Sequence, residues 1–182
     1  MAMVRVHREH TSMRIKGTII DLESTGGFDR TYPPWDPRQY ANISPTIFGY
    51  ITGETLVQHC AEKEEQIQDI VEIMKDTLSR LEQPFYALNC NFERYVITNT
   101  CGQTHPFLDV RENKYHGSKW AIREQLGIPT YDDPFHGDGL QCMHEWHRGN
   151  YDDCLRHNRA CLLIERDIQE HARGIMIGRD QI

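Results

Sequence analysis

The sequence predicts an α/β domain: a mixed central β-sheet, with an antiparallel hairpin and parallel strands, flanked by α-helices. Three observations carry this. Thr46–Thr52 and Thr55–His59 are β-prone runs joined by Gly53-Glu54, a two-residue link suited to a hairpin. Ile67, Ile70, Val71, Met74, Leu78 and Leu81 recur at helical spacing, with charged residues opposite. Beyond Pro84, short apolar runs alternate with helical stretches, the order of a sheet with helices packed on it.

Element by element, residues 1–13 are polar and read as a loose N-terminal segment with at most a short extended stretch. Arg14–Ile20 is the first strand, ending at Asp21. Gly26, Gly27, Pro33, Pro34 and Pro37 keep Glu23 to Ser44 irregular. After the hairpin and the amphipathic helix, Pro84 marks a stop and Phe85–Leu88 is a short buried strand. A second helix begins near Asn91 and runs past Val96. Phe107–Val110 is another short strand. Ser118–Leu126 reads as a helix ended by Gly127, because glycine accepts the left-handed conformation that closes a last turn. From Leu140 two helical pieces follow, broken near Gly149. The domain spans 14–174, with 175–182 a tail.

At 182 residues the chain can bury its own core without a disulfide or metal staple. A hydrophobic share of 38% and a charged share of 26% exclude a disordered or fibrous chain. The net charge of −7 excludes a broad basic face that coats nucleic acid. It does not exclude an enzyme whose carboxylates hold metal ions, because the ions then supply the positive charge. No apolar run reaches membrane-spanning length, and the charged stretch Arg5–His10 leaves no apolar core for a secretory signal. Six cysteines without a paired framework read as reduced thiols in a cytoplasmic protein.

Asp21-Leu22-Glu23 sets two carboxylates two residues apart where a strand stops, so both point to one side. They repel unless they share a cation, and hard divalent cations favour oxygen ligands. An isolated Asp-x-Glu is more often a solvated strand end. Asn89-Cys90-Asn91-Phe92-Glu93-Arg94, however, follows a second strand and opens a helix. If the two strands are parallel neighbours, Glu93 falls beside Asp21 and Glu23.

With these acids in place, the sequence resembles the DEDD superfamily of 3′–5′ exonucleases, which have the ribonuclease H-like fold. Ile19 to Gly27 is similar to the first motif, Asp-x-Glu followed by Thr-Gly. Ala87 to Arg94 is similar to the second, with Glu93 in place of an Asp. Phe107–Val110, Gly117-Ser118-Lys119 and Leu126–Pro129 resemble the segment between the second and third motifs. Trp146–Tyr151 through His157–Cys161 resembles the third-motif helix of polymerase-exonuclease-like members. In this register His157 takes the general-base position and Cys161 stands where the family has its last Asp. A second register pairs His147 with Asp152. Asp153, His157 and Cys161 recur at i, i+4 and i+8 on one helix face, so Asp153 is a candidate stand-in, ahead of Asp109 and Asp138.

The resemblance implies hydrolysis of phosphodiester bonds at single-stranded DNA or RNA ends, or in short oligonucleotides. It implies two Mg²⁺ or Mn²⁺ ions about 3.5–4 Å apart, Asp21 bridging them and Glu23 and Glu93 completing the shells. His157 would orient or deprotonate the attacking water. A thiol suits Mg²⁺ poorly, Mn²⁺ tolerably and Zn²⁺ better. Cys161 therefore leaves open a degenerate nuclease domain that binds nucleic acid or protein without cutting.

Two further patterns bear on this. Cys154, His157 and Cys161 lie on one helical stripe, close to Cys142, His144 and His147, and could hold zinc; buried thiols acting as small hydrophobes are commoner. Tyr32, Trp35 and Tyr40, with Arg30 and Arg38, lie in the loop after the first acids. Trp35, with Thr25 and Asn89, is a candidate contact for single-stranded bases; a loop folded onto the core is the alternative for its aromatics.

Overall fold

The computed structural model describes residues 4–175. Its six strands are β1 (Arg5–His10), β2 (Thr18–Gly26), β3 (Ile43–Thr52), β4 (Thr55–Cys60), β5 (Phe85–Ala87) and β6 (Phe107–Asp109). They form one mixed sheet in the order β1-β4-β3-β2-β5-β6. From β1 to β2 the neighbours pair antiparallel, and β5 and β6 then add parallel to β2. The helices are α1 (Ile67–Leu78), α2 (Asn91–Cys101), α3 (Lys119–Leu126), α4 (Gly139–His147) and α5 (Tyr151–Ala172).

Alternation along β2 divides the core. Ile20 and Leu22 join the cluster containing Phe48 and the apolar stripes of α1 and α2: Ile70, Val71, Met74, Leu78, Val96 and Ile97. Ile19 joins the other cluster, with Ile51, Ile122 of α3, and Leu162, Ile164 and Ile168 of α5. Each such side chain stabilises the fold by roughly 2 kcal/mol when fully buried. The ends of α3 follow its sequence: the Ser118 hydroxyl accepts from the Ala121 amide, and Gly127 closes the helix at φ +64.

Two expectations are corrected. The N-terminal segment is not loose, because Arg5–His10 pairs with β4 from Arg5↔Cys60 to His10↔Thr55. Its charged, largely exposed side chains hid it from a hydrophobic pattern, yet they suit a strand on a sheet edge. The strand carrying Asp21 does not end there: β2 continues to Gly26, across an irregularity between Glu23 and Ser24, because β3 starts at Ile43 and supplies partners. Of the expected C-terminal tail, residues 176–182 lie outside the described residues. No helix among the described residues is long and apolar enough to cross a membrane.

One glycine positions the site. Gly49 pairs with Asp21 across β2 and β3. A Cβ on Gly49 would lie 2.2 Å from Asn158 Oδ1 and 2.8 Å from Leu162 Cδ1. The bare backbone there lets α5 settle against the sheet beside Asp21.

Candidate metal centre

Asp21 and Glu23 project from the side of β2 that α5 covers. An oxygen of each and Sγ of Cys161 lie within 4.8 Å of one another, and all three residues are buried. Glu93 arrives from the first turn of α2, directly after β5, the parallel neighbour of β2. It is 5% exposed, and its Oε2 has no hydrogen-bond partner among the described residues. Burial, with Glu165 and Asp21 nearby, pushes its carboxyl well above the ordinary range.

Two side chains hold Asp21 in place. Asn158 Nδ2 donates to its Oδ2 at 2.8 Å and to its backbone oxygen at 3.1 Å. Gln58 Nε2 donates to Asn158 Oδ1 at 2.8 Å, which fixes the amide. On the other side, Lys119 Nζ lies 3.1 Å from Asp21 Oδ1 and 2.6 Å from Glu165 Oε1. The second oxygen of Glu165 accepts from the Leu88 amide at 3.0 Å.

His157 is clamped by a carboxylate that sequence reasoning missed. Its Nδ1 lies 2.8 Å from Asp133 Oδ1, and the Phe135 and Gly137 amides donate to the same carboxylate. Its Nε2 is 3.6 Å from Glu23 Oε1 and 3.9 Å from Cys161 Sγ. Burial opposes a charge on this imidazole, but Glu23 and Asp133 push its pKa up to about 12. Glu23 is lifted to about 8, chiefly by burial, with His157 opposing and Asp21 adding. Glu165 is also lifted to about 8 by burial, against the pull of Lys119. Burial works against the Lys119 charge too, yet Asp21, Cys161 and Glu165 hold it well above its ordinary range.

Four carboxyl groups thus face one ammonium and one imidazolium, and the imidazolium already serves Asp133. Three of the four sit above the ordinary carboxylate range, chiefly because burial disfavours their charged forms, and a bound cation would favour those charged forms. The buried carboxylate, imidazole and thiol groups gathered here could hold a metal ion. No protein-family model matches the chain. Neither a curated protein nor a solved structure matches it either.

The remaining candidates fall elsewhere. Asp153 does not reach the centre: it pairs with Arg156 at 2.9 Å, one turn nearer the start of α5. Asp109 is taken by Arg111 and the Asn89 amide, and Asp138 caps α4. The pair of the second register is not brought together, since His147 Nε2 lies 2.8 Å from Thr25 Oγ1 while Asp152 pairs with Arg5. Cys154 turns its Sγ to the Cys142 carbonyl at 3.4 Å, and Cys142 in its place lies within 4.8 Å of His157 and Glu23. Trp35 is 72% exposed, whereas Tyr40 is buried among Phe28, Phe92 and Tyr95. Asn89 is exposed at φ +58, so its backbone conformation is constrained while its side chain reaches solvent.

Proposed function

We propose that this chain is a metal-dependent 3′–5′ exonuclease with a ribonuclease H-like fold, acting on single-stranded DNA or RNA ends, including short oligonucleotides. The observation that carries the reading is that Asp21 and Glu23 meet on one side of β2, while Glu93, at the start of α2, is buried near enough to Asp21 to feel its charge and has an unpaired Oε2. A central strand with an antiparallel neighbour on one side and a parallel one on the other supports the fold assignment.

Asp21, Glu23 and Glu93 would hold a divalent ion, Mn²⁺ in preference to Mg²⁺, which supplies Lewis acidity toward a phosphodiester and a more acidic water. Asn158 and Lys119 keep Asp21 in one orientation, so its geometry is set before substrate arrives. His157, kept protonated between Asp133 and Glu23, acts as a positioning group for Glu23 rather than as a base near neutral pH. Trp35, exposed in the loop after β2, would offer a stacking face to an incoming strand, and Thr25, near the end of β2, a hydroxyl. Six thiols without a disulfide suit a reducing, cytoplasmic setting.

Cys161 favours a second reading, in which the domain binds a strand without cutting it. One assay decides: 5′-labelled single strands of DNA and RNA are incubated with Mn²⁺ or Mg²⁺. The expected result is shortening from the 3′ end, fastest with Mn²⁺. Asp21→Ala should abolish it, a loss of at least about 100-fold as for removal of a main electrostatic stabiliser. Cys161→Asp should raise it, most of all with Mg²⁺. Strand binding without cleavage in every variant would establish the second reading, and equal cleavage in all of them would overturn both.

A further inference from the structure

We propose that Glu23, Cys142 and His157 form a site for a zinc-class ion, a borderline-soft divalent metal held by oxygen, sulfur and nitrogen. The site does not depend on nuclease activity, and it shares only Glu23 with the three carboxylates proposed above to hold Mn²⁺.

The three residues come from β2, α4 and α5. One ligand atom from each lies within 4.8 Å of the other two, and all three residues are buried. A thiol beside an imidazole and a carboxylate is a donor set that suits Zn²⁺ better than Mg²⁺. The spacing agrees with shared ligation. His157 Nε2 is 3.6 Å from Glu23 Oε1, too far for a hydrogen bond. Nitrogen and oxygen ligands at tetrahedral angles on one zinc ion stand roughly 3.3–3.6 Å apart.

The orientation of the imidazole is a second, independent observation. Asp133 Oδ1 lies 2.8 Å from Nδ1, and the Phe135 and Gly137 amides donate to the same carboxylate. This contact holds a proton on Nδ1 and leaves Nε2 facing Glu23. A carboxylate behind the ring orients a metal-bound histidine and makes it a more basic ligand.

Cys142 is placed by a helix fixed on both sides of it. The Asp138 carboxylate caps α4 by accepting from the Leu140 and Gln141 amides. One turn beyond Cys142, Trp146 Nε1 donates to the Ala61 carbonyl at 2.6 Å. Cys154, the thiol expected from the stripe on α5, does not join, because its Sγ faces the Cys142 carbonyl. Cys161 falls in the other group, with Asp21 and Glu23.

The positive charges already present do not block such an ion. A metal on Nε2 takes the place of the imidazolium proton rather than standing beside it. The Cys142 thiol also gives up its proton, so two protons leave for solvent as one dication enters. The net charge of the cluster is unchanged. Lys119 keeps its contacts with Asp21 and Glu165, at 3.1 and 2.6 Å. Three protein ligands leave a fourth position for water.

The test titrates the metal-free full chain with Co²⁺, a spectroscopic substitute for Zn²⁺, and follows thiolate-to-cobalt charge transfer in the near ultraviolet. The native chain should take one Co²⁺ with that band, and Zn²⁺ should displace it. From pH 6 to 7 the affinity should rise at least about 10-fold, because bound protons must leave. Cys142→Ala should lose the band and Cys161→Ala should keep it, with circular dichroism establishing that each is folded. No band on the native chain, or an affinity independent of pH, would overturn the site. So would a band kept by Cys142→Ala and lost by Cys161→Ala, which would put the ion against Asp21 instead. A chain that shows the band but does not cut strands with Mn²⁺ would keep this site and remove the nuclease reading; cutting without the band would do the reverse. The native titration needs no variant, so a variant that fails to fold does not remove the test.

Discussion

His59 and His157 are buried to nearly the same degree, 8% and 3% exposed, yet one is neutral and the other charged. His59 lies on β4, stacked against Phe48 and Tyr50, and its Nδ1 has no hydrogen-bond partner among the described residues. Burial, with Arg8 adding, lowers its pKa to about 4, so it stays neutral. His157 meets the same burial but faces Asp133 and Glu23, and it stays charged. What separates them is the company each keeps. A carboxylate donated by a distant loop turns a buried imidazole from a ring that packs into a fixed positive charge, and the centre is built from such donations.

Breaking the donation should give the largest effect. Asp133→Asn leaves the imidazolium without its nearest counter-charge and should cost about 3 kcal/mol of stability, as removal of one partner of a buried ion pair does. A raised folded pKa contributes stability that is complete below the unfolded value near 6.5 and is lost as pH rises toward 12. The penalty should therefore be greatest near pH 6 and shrink by pH 10, measured by urea denaturation at both. A constant penalty would mean that Asp133 acts on the Phe135 and Gly137 amides alone.

A smaller effect is expected at His59. A lowered folded pKa contributes stability that is present above the unfolded value and lost as pH falls from about 6.5 to 4, because the unfolded chain takes up the proton first. His59→Phe keeps a ring against Phe48 and Tyr50 and removes that proton. Its melting temperature should match the native protein at pH 7 and exceed it by about 5 °C at pH 5. Equal melting at both values would show that His59 finds a partner in solution.

Much of the architecture was legible in residues whose neighbours in sequence are also their neighbours in space. Gly53-Glu54 sets the hairpin, the stripe from Ile67 fixes α1, and Ser118 and Gly127 bracket α3. Alternation places Asp21 and Glu23 on one side of β2. The centre was legible only in part, because its other members are joined by tertiary packing. Asp133 lies in a loop with no pattern of its own. Lys119 has a side chain long enough to reach several targets, and the sequence cannot choose among them. The stripe through His157 and Cys161 was visible, but it was extended backward to Asp153. Continuing it forward by one turn gives Glu165, an acid beside the apolar run Leu162–Ile164, and this is the one that is buried. β1 was hidden for the opposite reason: its side chains are solvated, and only its backbone belongs to the fold.

The central claim is that Asp21, Glu23 and Glu93 cage a divalent ion. Crystals soaked in Mn²⁺ and measured for anomalous scattering test it most directly. The account predicts a peak held between the carboxylates of Asp21, Glu23 and Glu93. Ordered carboxylates with no peak among them, or a peak only at surface acids, would contradict it.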